Sequence, residues 1–229
     1  MGSDAKLNSR EAAAAFLAAI DALPDRATPA LRALRKSFSA GWRAREPAFI
    51  VAVADALQRR GGYRWLGYEL IRHHKPAFES LNDRRLTDLS QGLASWDEVD
   101  GFARILSGPA WAHGLASDAL IHRWSASADR WRRRAALVST VALNMPADGG
   151  HGDPDRTLAV CGLLAGDRDD MVEKALSWAL RALAVRDAAA VRQFLVAENA
   201  RLAARVKREV RNKLETGLKH TPHAPRGKA

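Results

Sequence analysis

Within Ala94-Ser-Trp-Asp-Glu-Val-Asp-Gly101, the indole of Trp96 and the carboxylate of Asp100 stand four residues apart. On a helix this spacing puts both on one face, one turn from each other. A carboxylate so placed can stabilise developing positive charge, and an indole face favours a nearby cation. The same spacing also fits an exposed acid beside a core tryptophan. Asp97 and Glu98 have a simpler account. Ser95 followed three residues later by Glu98 is the pattern of a capping box, which leaves both acids in a first helical turn where the peptide dipoles favour them.

Two further stretches carry similar residue types. Five arginines (Arg123, Arg130, Arg132, Arg133, Arg134) and two tryptophans (Trp124, Trp131) fall within positions 123–134. Cations interleaved with indoles suit phosphate contact and stacking on a base or sugar. Consecutive arginines on a helix point in different directions, so not all can touch one ligand, and a solvated face with packed tryptophans fits equally. In Glu173-Lys-Ala-Leu-Ser-Trp178-Ala-Leu-Arg181, Lys174 and Trp178 share a face in the same way, with a core tryptophan as the alternative.

Several chemistries lack their signatures. No Gly-rich phosphate loop, Gly-x-Ser-x-Gly elbow or paired-histidine zinc motif occurs. His73 and His74 are adjacent and would face apart on a helix, and the other histidines have no partners at ligand spacing. The single cysteine, Cys161, can form no internal disulfide and fits a reducing compartment. No metal and no cofactor is expected. No apolar run approaches 18 residues and the N-terminus lacks a signal pattern, so a soluble cytoplasmic protein is the expectation.

The elements that must position these groups read as helices. The chain has 229 residues, 45 of them alanine, and 47% are hydrophobic, which allows a substantial core. Apolar residues recur at helical spacing in segments near 9–22 (with Ser9 as cap), 29–42, 47–60, 62–74, 83–93, 96–107, 117–127, 129–144, 154–165, 169–186, 188–198 and 200–217. Almost nothing alternates with period two, so the expected class is all-α without a sheet. The Gly/Pro/Asp-rich stretch 144–154 reads as a surface loop. Sliding Arg134-Ala-Ala-Leu-Val-Ser-Thr-Val-Ala-Leu143 by 40 positions onto Lys174-Ala-Leu-Ser-Trp-Ala-Leu-Arg-Ala-Leu183 keeps the leading basic residue and several small or apolar ones. Another basic opening follows at Arg208. Such periods are those of HEAT-like helical pairs that stack into a solenoid with one concave face. We expect one domain over 1–217 and a disordered basic tail over 218–229.

Taken together, Trp96 to Asp100, Trp131-Arg-Arg-Arg134-Ala-Ala136, Glu173 to Arg181 and Lys207-Arg-Glu209 resemble, in order and spacing, the AlkD-like DNA alkylation repair proteins, which are HEAT-like repeat DNA glycosylases. The resemblance covers roughly residues 60–217. It implies excision of cationic alkylated purines, typically 3-methyladenine and 7-methylguanine, from double-stranded DNA with the lesion left in the stack. By the same resemblance Asp100 matches the essential carboxylate, Trp96 and Trp178 the two site tryptophans, and Arg134 a phosphate-contacting arginine. The basic clusters add Arg130, Arg133, Lys174, Lys207 and Arg208 as candidate DNA contacts along a concave basic groove. Phe38-Ser-Ala-Gly-Trp42-Arg-Ala-Arg45-Glu-Pro47 departs from the family's pattern, which puts any site group from that region in doubt.

A monomer in the cytoplasm, associated with the nucleoid and without an obligate protein or membrane partner, follows as the expectation. The alternatives are a non-catalytic binder of damaged or structured DNA and a protein-binding helical scaffold. Charge does not separate them. The net charge is +10, but nine basic residues against two acids from Arg201 onward put +7 in the last 29 residues. The arginines at 123–134 are therefore a better pointer to bound DNA than the total.

Overall fold

A computed structural model describes residues 7–58 and 62–220. These are helix and connecting loop throughout, with no strand among them. The helices group into two compact units, Met1–Ser117 and Asp118–Ala229. No described helix is long and apolar enough to cross a membrane.

The first unit contains α1 (Ser9–Asp21), α2 (Thr28–Gly41), α3 (Pro47–Gln58), α4 (Arg64–His73), α5 (Lys75–Glu79), α6 (Asp83–Leu89), α7 (Trp96–Phe102) and α8 (Gly108–Ala112). Asn8, not Ser9, caps α1: its side chain accepts from the Arg10 and Glu11 amides while Glu11 accepts from the Asn8 amide. Phe16, Phe38, Trp42 and Phe49 meet edge-on, with Phe38 to Phe16 at 4.8 Å and Phe38 to Trp42 at 5.0 Å between ring centres. The stretch that departs from the family pattern thus supplies core aromatics. Its Arg45 stacks on Phe49 at 3.6 Å and donates to Leu7 O at 2.7 Å.

Two helices escape a reading by punctuation. α5 begins beside Pro76, where proline fits the first turn of a helix because the missing N–H has no partner there, whereas Pro109 of α8 lies within a continuous helical run. Between α7 and α8 the chain makes one wide π-helical turn, Ala103–Ser107, without leaving helical backbone angles. Pro109 removes the donor that Ile105 would otherwise receive and its ring crowds that carbonyl, so widening the turn lets the helix continue.

The second unit contains α9 (Asp118–Ser125), α10 (Arg130–Asn144), α11 (Pro154–Leu163), α12 (Asp170–Leu183), α13 (Ala188–Ala197) and α14 (Ala204–Thr216). Here α12 packs between α10 and α14, while α9, α11 and α13 form a flanking layer. The arrangement is compatible with a helical-repeat solenoid. The sequence repeat has a structural register: Arg134, Lys174 and Arg208 are each the fifth residue of their helix. Asp129 and Asp169, 40 residues apart, cap α10 and α12 identically through the amide two residues on, each at 2.9 Å.

The segment 144–154 is more than a surface loop. Asn144 is buried; its amide donates to Thr140 O and Thr157 Oγ1, both at 2.8 Å, and its Oδ1 accepts from Asp153 N. A short 3-10 turn, Pro146–Asp148, then folds the chain back so that Gly150 lies against α10, where an added Cβ would come within 2.2 Å of Ala142 O. Tyr68 does similar work in the first unit, donating to Leu89 O at 3.2 Å and packing on Phe102.

Two stability outcomes follow. Gly150→Ala must displace backbone, and is expected to lower stability by roughly 3 kcal/mol, read as a fall in melting temperature of about 6–12 °C. Burial raises the Tyr68 phenol to about 12, above its unfolded value. Its neutral form therefore contributes stability that is complete below about pH 10 and lost between about pH 10 and 12, at most roughly 2–3 kcal/mol. Urea midpoints for Tyr68→Phe and the native chain should converge as pH rises from 8 to 11; a constant gap would refute this assignment.

Candidate functional site

The α7 residues show how local sequence sets the first half of the candidate site. Trp96 is the first residue of α7 and is 57% exposed, the largest exposed aromatic among the described residues. Asp100, one turn on, is half-buried, while Val99 and Phe102 are buried. The pattern of core and surface is that of an amphipathic turn whose indole is not part of the core, so the packed-tryptophan reading does not hold at Trp96.

The expected capping box does not form. Ser95 caps no amide with its side chain, and Glu98 Oε2 accepts from the Ala94 amide at 3.0 Å. The reason is Arg64, whose Nε draws Glu98 Oε1 to 3.4 Å and whose remaining nitrogens donate to Gln91 O at 2.8 Å and Gly92 O at 3.3 Å. This guanidinium on α4 holds the whole approach to α7. Gly92 has φ +67° and lies against Arg64, so the turn needs both glycine's backbone freedom and its lack of a side chain. No motif marks Arg64 in the sequence; only the folded chain brings it across to residues 91–98.

α4 also presents a polar cluster that spacing alone did not single out. Glu69, buried in the apolar run Leu66–Ile71, accepts from Arg32 Nε at 2.9 Å and Arg35 Nε at 3.2 Å. Two cations on one carboxylate satisfy a group that could not be buried ionised by itself. Arg32 also lies over the half-buried Trp65 ring at 5.5 Å. Trp65 borders α7, since a Cβ on Gly101 would sit 3.7 Å from its Cβ. An acid inside an apolar helical run was the available signal for this cluster.

In the second unit, Trp178 is half-buried and lines a cavity of about 240 Å³ with Met145, Val185, Arg181, Lys213 and Lys219. Its position on α12 is fixed by a clamp one residue before it: Ser177 donates to buried Glu209 Oε2 at 2.6 Å, and Arg181 Nε donates to Ser177 Oγ at 3.2 Å. Lys219 approaches Glu209 Oε1 at 3.7 Å. Burial lowers the Arg181 pKa and the Glu209 carboxylate opposes the shift. Glu209, the last residue of Lys207-Arg-Glu209, thus ties α14 to α12 next to Trp178.

The basic candidates divide by their surroundings. Arg133 donates to Asp167 at 2.6 Å and to the Ser127 and Ala128 carbonyls at 2.9 and 2.8 Å. Arg134 is only 5% exposed and donates to Met171 O at 2.6 Å. Arg130 is more open, pairing with Asp169 at 3.3 Å beside the Trp131 ring. Lys174 meets Asp170 at 2.7 Å, and Arg205 bonds the same carboxylate. The two cations hold the Asp170 carboxyl down to about 2. Lys207 donates to Asn199 O at 3.1 Å, and Arg208 is exposed. Trp124 is buried and belongs to the core, while Trp131 is half-buried.

Neither a search of curated proteins nor one of solved structures finds a match. A family model described as "DNA alkylation repair enzyme" matches residues 3–214. That span includes both tryptophans, Asp100 and the repeated basic positions of α10, α12 and α14, and it places this chain in the DNA alkylation repair enzyme family.

Proposed function

We propose that the protein is a monofunctional DNA glycosylase that excises positively charged alkylated purines of the 3-methyladenine and 7-methylguanine type from duplex DNA. Family membership supports DNA alkylation repair and DNA as the partner. The observation that carries the finer reading is on α7, where a largely exposed indole stands one turn from a half-buried carboxylate.

N-alkylation leaves the base cationic, so it departs neutral, taking the electron pair of the glycosidic bond. Positive charge then builds on the deoxyribose. Asp100 stabilises that charge and orients the water that adds to C1′, accepting its proton or passing it to solvent. Trp96 and Trp178 offer indole faces to the cationic nucleoside. Hydrolysis of this bond balances without a covalent protein intermediate. Arg130, Lys174, Lys207 and Arg208 are the candidate backbone contacts, and Arg133 and Arg134 act chiefly by holding α10 against the start of α12.

Asp100→Asn is expected to reduce release of methylated purines from methylated duplex DNA by at least about 10²-fold with an unchanged thermal melt; equal release would sink the role of Asp100. Strong, salt-dependent DNA binding with no base released by the native protein would favour the non-catalytic binder. For the cations, Arg208→Gln should weaken duplex binding and lower the slope of log affinity against log salt by about 1. Arg133→Gln should instead lower the melting temperature, because its donors serve Asp167 and two loop carbonyls.

A further inference from the structure

A second polar cavity lies in the first unit, between the C-terminal halves of α2 and α4 and the start of α5. It measures about 390 Å³ and is walled by Arg35, Lys36, Arg43, His73, His74 and Lys75, with Ser39 on one side and Ile50 and Leu70 among its apolar residues. None of its lining residues is acidic. Glu69 stands behind Arg35, and Lys75 reaches Glu79 only loosely, at 3.7 Å between exposed side chains. The cavity therefore concentrates cationic groups with little internal compensation.

Two of its polar atoms are buried without a hydrogen-bond partner: Ser39 Oγ and His74 Nε2. His74 is 8% exposed, and its Nδ1 accepts the Ala77 amide at 3.1 Å, which fixes the ring at the end of α4. An Nδ1 that accepts carries no proton, so the neutral ring holds its proton on Nε2. Nε2 is then a buried donor with nothing to donate to, an arrangement that costs free energy unless an acceptor arrives. The neighbouring His73 is held below its ordinary pKa by burial and by Arg35, as expected in a field already positive.

We propose that this cavity is an anion site that takes a phosphate group, with His74 Nε2 and Ser39 Oγ as hydrogen-bond donors and Lys36, Arg43 and Lys75 as its countercharges. A phosphate offers several acceptor oxygens to donors that converge from different elements, which a single chloride does not. The site lies apart from α7 and does not depend on the glycosylase reading. The phosphate could be free or could belong to a DNA backbone, and the two sources compete for the same donors.

The test titrates the full chain with inorganic phosphate, following the His74 Nε2 resonance by NMR and the heat by calorimetry. One saturable site is expected, weakened about tenfold or more in Lys36→Gln/Arg43→Gln, whose substituted residues are exposed and should leave the melt unchanged. His74→Phe should lose the site and His74→Gln, which keeps a donor, should retain part of it. Displacement of bound phosphate by an unmodified duplex assigns the site to the DNA backbone; saturable binding that the duplex leaves untouched assigns it to free phosphate or a phosphomonoester. An Nε2 resonance that does not move, or equal weak binding in every variant, overturns the proposal. Base release by the native protein is measured separately, so failure here leaves the reading of Asp100 standing, and the reverse.

Discussion

Eleven consecutive residues of α10, Arg134 to Asn144, are buried, and a helix enclosed on every side must satisfy each polar group it carries from its immediate surroundings. Ser139 donates back to Ala135 O, Thr140 to Leu137 O, and Asn144 to Thr140 O and across to Thr157. Alanines are buried along both helices, at 135, 136 and 142 in α10 and at 175, 179 and 182 in α12, and such small side chains suit closely packed helices. That seam fixes the orientation of α12, and with it the face on which Lys174 and Trp178 stand.

The same seam explains why so many arginines are engaged within the protein. At the start of α12 the capping acid and its neighbours meet cations from the helices on either side: Arg130 with Asp169, Arg133 with Asp167, Arg205 with Asp170. Arg168 reaches the Arg201 carbonyl in the same way at 2.8 Å. Negative charge is favoured at helix N-termini, so the acidic start of α12 supplies partners for basic residues of the helices next to it. A basic sequence thus becomes partly self-neutralised by folding. Counting its cations alone therefore overlooks those already paired with acids inside the protein.

In the first unit an equivalent part is played by single charged side chains that bridge distant segments. Arg64 gathers Gln91, Gly92 and Glu98, and Glu69 gathers Arg32 and Arg35. The consequence for function is geometric: the exposed indole and half-buried carboxylate of α7 sit on a helix whose entry is pinned by Arg64 and whose exit runs through the π-helical turn into α8. Such a frame holds side chains more precisely than a loop does.

Periodicity in the sequence determined the helical class, most helix positions and the register of the repeat, because burial of one helical face dictates where apolar residues fall. It also put Trp96 with Asp100 and Lys174 with Trp178 on shared faces, since a four-residue spacing is a local property. Tertiary structure decided the rest. Whether Ser95 or Arg64 governs Glu98 and whether Arg133 meets Asp167 depend on groups 34 residues away, and whether Trp96 is core or surface depends on how α7 packs. The short helices beside Pro76 and Pro109 were hidden because proline ends some helices and begins others. The cavity at His74 was hidden for the same physical reason as the Glu69 cluster: a charge pattern over distance exists only once packing has brought separate helices together.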